Sequence, residues 1–70
     1  MSRPGTEKLD SLQSQRIAAG HTITSLAKKA NVSDRTIITL ESGGNCEVHV
    51  AIRIADALAV TLTTLGHRVM

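Results

Sequence analysis

Apolar residues recur along the chain at helical intervals, broken by glycine and asparagine. In "HTITSLAKKA", Ile23, Leu26, Ala27 and Ala30 fall at i, i+3, i+4 and i+7, one face of a helix. Lys28 and Lys29 fall on the opposite face, and Thr22 is placed to cap the first turn. In "NVSDRTIITLESG", Val32, Ile37 and Leu40 line one side of a further short helix. Asp34, Arg35, Ile38 and Thr39 then point the other way. Ser33 is a good N-cap, and Asp34 suits the positive end of the helix it opens. Between the two helices, Asn31 tolerates the left-handed region, and the apolar Val32 implies a turn tucked into the core.

The flanks are read in the same way. In "EKLDSLQSQRIAAG", Leu9, Leu12 and Ile17, with Arg16 beside it, recur at roughly helical spacing. Gly20 stands where that first helix would stop. The segment "EVHVAIRI" alternates like a strand, whereas the longer, Ala-rich window fits a helix over about 47–59. The helix is preferred, and it leaves Val50 and Ile52 off the main core face. Thr61 then caps a short fifth helix, "LTTL", ended by Gly66. The prediction is an all-α fold: one compact five-helix domain over residues 7–70, preceded by a flexible N-terminal arm, residues 1–6.

Composition narrows the function. A domain of 70 residues buries only about 60% of its unfolded surface, so a partner subunit would help it. No Phe, Tyr or Trp is present. The core must be aliphatic, and modules that stack bases on aromatic rings are disfavoured. The formal net charge of +2 gives no polybasic field, so a polyanion would be met by a local patch. The single cysteine, Cys46, allows no intrachain disulfide. The sequence carries no apolar run of about 18 residues for a membrane span and no signal-peptide core, so the chain is expected to be cytoplasmic. "NVS" matches a glycosylation acceptor, without a sign of secretion. His21, His49 and His67 lack ligand spacing with Cys46, so neither metal nor cofactor is expected. No catalytic triad and no Gly-rich phosphate loop occurs, which points away from an enzyme.

The run "TITSLAKKANVSDRTIITLESG" resembles the Cro/C1-type, lambda-repressor-like helix-turn-helix family of phage repressors, antitoxins and small bacterial regulators. "IADALAVTLTTL" is similar to that family's fourth and fifth helices. The likeness extends over about 9–65. Asn31 stands for the usual glycine of the turn, Cys46 falls near a frequent proline, and the loop before it is one residue shorter.

The resemblance implies a protein that sets its third helix into the major groove of double-stranded DNA, a groove about 12 Å wide. Asp34, Arg35, Ile38 and Thr39 become the reading edge, with Arg35 suited to guanine O6 and N7. Thr39 suits a base or a thymine methyl, and Thr36 a base or phosphate. Asp34 suits either cytosine N4 or simply the helix N-terminus. Phosphates would be met by the amides near Thr22 and Ile23, by Ser33, by the Gly43–Gly44–Asn45 loop, and by Lys28 and Lys29. Arg3 in the arm is a further candidate. Arg16 and Glu41 match family positions that form an ion pair bracing the first helix on the third. One short helix reads few base pairs, so the resemblance further implies a homodimer on a palindromic operator. The apolar C-terminal residues Leu62, Leu65, Val69 and Met70 are the expected dimer interface, with Val50 and Ile52 as additions. A transcriptional repressor is the leading reading. The alternative is a protein-interaction module of the same fold, such as an antitoxin-like protein that binds a protein partner.

Overall fold

A computed structural model describes residues 7–69, with side chains for 7–68. Two of the expectations above therefore lie outside it: the arm with Arg3, and Met70 with the side chain of Val69. The elements run β1 (Glu7–Leu9), α1 (Leu12–Ala18), α2 (Ile23–Ala30), α3 (Asp34–Glu41), α4 (Val48–Leu58) and β2 (His67–Val69). The described residues are mostly helical, with four helices and a small strand pair in place of five helices.

The strand pair corrects both ends of the chain. β1 and β2 are antiparallel, with Glu7 opposite Val69, Lys8 opposite Arg68 and Leu9 opposite His67. Glu7 and Leu9 turn inward while Lys8 is half-exposed, the two-residue alternation of a strand. Beyond the pair, Ser11 N donates to Leu65 O at 2.8 Å and Asp10 N to Gly66 O at 3.3 Å. Arg68 also pairs with Asp10. α1 consequently starts only at Leu12, its single buried residue. Ile17 lies five positions on, roughly 140° around a helix of 3.6 residues per turn, and is 60% exposed.

The expected fifth helix is a single turn. Thr61 Oγ1 accepts from Thr64 N at 3.2 Å, and Leu65 N reaches Leu62 O at 3.1 Å. Gly66 ends the turn at φ 71°, so the segment never passes the costly nucleus of a helix. Leu65 is fully buried and Leu62 packs half-buried on the core. This corrects the expectation that Leu65 offers a surface to a second subunit: its side chain is spent on the core of its own chain. The Val69 backbone, likewise, is paired to Glu7.

The central helices follow from their caps. Thr22 Oγ1 accepts from Ser25 N at 3.0 Å while Ser25 Oγ accepts from Thr22 N at 2.9 Å, a reciprocal capping box. α2 ends at Asn31 with φ 58°, and Val32 N donates back to Ala27 O at 2.9 Å. Ser33 then caps α3 through Thr36 N at 3.2 Å. α4 closes on Ala59, also left-handed at φ 56°. Leu9, Leu12, Leu26, Ile37, Ile54 and Leu65 form the fully buried aliphatic centre. Ala27 and Ala30 are small enough to let α2 approach its neighbours closely.

Candidate nucleic-acid interface

α2 and α3 form one rigid unit because each is tied down at several points. Arg16 Nε donates to Glu41 Oε2 at 2.6 Å and Nη2 to Oε1 at 3.0 Å, a two-pronged pair. Arg16 Nη1 also donates to His21 O at 2.9 Å. One guanidinium thus joins the end of α1, the entry to α2 and the end of α3. The two side chains are only 11% and 8% exposed, and the bond to Glu41 raises the Arg16 pKa further. At the other end of α3, Thr24 Oγ1 donates to Asp34 Oδ2 at 2.9 Å, clipping α2 to α3.

With Ile37 and Leu40 turned inward, α3 presents Asp34, Arg35, Ile38 and Thr39 to the outside. Arg35 has no hydrogen bond or ion pair among the described residues, so its five donors face solvent. Asp34 is already committed by one oxygen to Thr24. The Thr36 hydroxyl sits 2.9 Å from Ser33 Oγ and serves the cap. Lys28 and Lys29 are exposed on the last turn of α2. At the start of that helix no earlier turn exists to accept from the Ile23 and Thr24 amides, while the Ile23 side chain packs on the core.

The loop after α3 is fixed at both ends. Gly44 N donates to Thr39 O at 2.8 Å. A Cβ on Gly44 would stand 2.5 Å from Thr39 Cγ2 and 2.7 Å from Thr39 O, so only glycine fits there. Further on, Cys46 and Glu7 exchange both backbone bonds, at 2.8 and 2.9 Å. Gly44 and Asn45 are thereby held beside the exposed end of α3. The Cys46 thiol is buried, and desolvation, followed by the charge of Glu7, pushes it up to about 11. His67 Nε2 lies 2.6 Å from Glu7 Oε1, and His21 Nδ1 lies 2.9 Å from Ser25 Oγ. Among the described residues no group of His, Cys, Asp and Glu is arranged to hold a metal, and no helix is long and apolar enough to cross a membrane.

Sequence reasoning missed the Thr24–Asp34 clip, the closeness of Gly44 to Thr39 and the Glu7–Cys46 bridge. The first had a faint signal, a threonine in the first turn of one helix and an acid opening the next. The other two have none, since both depend on how the loop returns.

Two helices joined by the three residues Asn31, Val32 and Ser33, the second braced at both ends and bare along one edge, define a helix-turn-helix unit. The sequence pattern of the helix-turn-helix family matches residues 12–65. The chain therefore belongs to the Cro/C1-type helix-turn-helix family. No curated protein and no solved structure matches the chain at a significant level.

Proposed function

We propose that this protein is a sequence-specific, double-stranded-DNA-binding transcriptional regulator that represses by occupying its operator. The observation that carries the proposal is Arg35: an exposed guanidinium with no described partner, on a helix held at both ends. In the major groove it reads a guanine. Thr39, one turn on, meets a neighbouring base, and the second oxygen of Asp34 accepts from a cytosine N4. Thr36 stays near the backbone. The Ile23 and Thr24 amides beside Thr22, with Ser33, the loop at Gly44 and Asn45, Lys28 and Lys29, meet phosphates and set the register.

Two copies bind an inverted repeat, half-sites about 10 bp apart. Leu62 with Val69 and Met70 supplies the proposed pairing surface, with Leu65 behind it in the core. The test is selection of bound duplexes from a random library, with sedimentation of the protein alone and on the recovered site. An enriched inverted repeat occupied by two chains is expected. A strict monomer on a site without symmetry would remove the dimer, and no enrichment at all would remove the DNA reading.

The exposed Ile52, 46% accessible on α4, supports a second reading, an antitoxin-like module that binds a protein partner. The two readings separate on one variant. Arg35→Ala weakens binding to the selected duplex and relaxes preference at one base pair in the first, and is silent in the second.

A further inference from the structure

Ile38 is a costly residue for its position. It is 47% exposed, although Ile37 and Leu40 already fill the inward face of α3. Its neighbours on the outer face, Asp34, Arg35 and Thr39, are all exposed and polar. Helix propensity does not explain it, because a β-branched side chain loses rotamer freedom in a helix. Among the described residues the other large exposed hydrophobics, Ile17 and Ile52, stand on α1 and α4. Ile38 is therefore the apolar element of the edge assigned above to base reading.

The major groove offers such a side chain one kind of partner. Each base pair presents hydrogen-bond donors and acceptors there, and only thymine adds an apolar group, its C5-methyl. We propose that Ile38 packs on the C5-methyl of a thymine, so that each recognition helix favours a 5-methylpyrimidine at one position. The inference rests on the DNA-reading role proposed for α3. Ile38 follows Arg35 by three residues, a rise of about 4.5 Å at 1.5 Å per residue. A base-pair step is about 3.4 Å. The thymine accordingly lies within about two base pairs of the guanine that Arg35 reads. Uracil keeps the pairing and the O4 acceptor of thymine and lacks only the methyl. Deoxyuridine therefore isolates the contact.

The experiment titrates fluorescently labelled duplexes, recovered by selection on the intact protein, with each thymine replaced in turn by deoxyuridine. For the parent, one replacement per half-site, close to the Arg35-dependent guanine, weakens binding about four-fold, the worth of one buried methyl-sized group. In Ile38→Ser that same replacement has no effect, while penalties at other thymines persist. Where Ile38→Ser binds too weakly to titrate, Ile38→Ala carries the comparison, with the penalty reduced. A parent that binds its selected duplex and ignores deoxyuridine everywhere overturns the contact and leaves the DNA reading standing. A penalty that survives unchanged in Ile38→Ser and Ile38→Ala also overturns it. Failure of the parent to select any duplex overturns the DNA reading, and this inference with it.

Discussion

Removing Glu41 should cost more than any other single side-chain deletion on the surface of the α2–α3 unit. In Glu41→Ala the Arg16 guanidinium loses acceptors at 2.6 and 3.0 Å and keeps only His21 O at 2.9 Å. With Arg16 just 11% exposed, water replaces the carboxylate poorly. Breaking a buried pair from one side costs about 3–5 kcal/mol. For 70 residues, a total stability of about 0.05–0.15 kcal/mol per residue comes to only about 3.5–10 kcal/mol, so the variant loses roughly 30% or more of its margin. Arg16→Met should cost about as much, since it buries the carboxylate without its cation and frees His21 O. The double variant Arg16→Met with Glu41→Leu replaces both charges by apolar volume, and it should recover to within about 2 kcal/mol of the parent. The assay is urea unfolding followed by far-ultraviolet circular dichroism, because a chain without Trp, Tyr or Phe has no useful ring fluorescence. Single variants each within about 1 kcal/mol of the parent, with no coupling in the double-mutant cycle, would refute the argument that this pair braces the unit.

Further predictions concern the loop, a cap and the thiol. Gly44→Ala places a Cβ against Thr39 backbone and side chain; it should destabilise by about 1–3 kcal/mol, measured by the same unfolding curve. Ala59→Gly relieves a left-handed residue at φ 56° on the end of α4 and should stabilise by about 0.5–1 kcal/mol; a loss of stability would count against that cap. Burial moves the Cys46 thiol from an ordinary 9.0 to about 11. Between those values the unfolded chain has released this proton and the folded chain retains it. The contribution is thus intact below pH ~9 and is lost as pH rises towards ~11, a loss on the order of 2–3 kcal/mol. Cys46→Ala should unfold with a shallower alkaline slope than the parent, and equal slopes would show that the thiol is not the cause. At neutral pH the folded thiol should react with a disulfide reagent only as fast as the protein opens.

The helices that carry the site were legible because each obeys a local rule. The i, i+3, i+4 stripe of Ile23, Leu26 and Ala27 and the capping residues Thr22 and Ser33 need no distant partner. The strand pattern of "EVHVAIRI" lost to the helix because Ala51, Ile54, Ala55 and Leu58 all reach the core. What was not legible is non-local. β1 pairs with a segment at the far end of the chain, and a three-residue alternation within "EKLDSL" is indistinguishable from one turn of helix. The same blindness assigns Leu65 to a pairing surface, whereas it is fully buried in the core of its own chain. The Arg16–Glu41 contact spans 25 positions and has no periodic signature; only the likeness to a family pointed to it. Asp34 shows the subtler limit. Its place at the start of a helix was plain, whereas its bond to Thr24 depends on the crossing of two helices.

The central claim, that the outer edge of α3 reads DNA through Arg35, is tested most directly by titrating parent and Arg35→Ala against the selected duplex and a scrambled one. Arg35 is exposed and has no described partner, so its removal leaves the fold intact, which circular dichroism checks. The expected result is a loss of about 1–3 kcal/mol on the selected duplex, with preference relaxed at one base pair and affinity for scrambled DNA little changed. Lys28→Ala, by comparison, should weaken both duplexes alike. Equal affinity of parent and Arg35→Ala for the selected duplex would contradict the assignment.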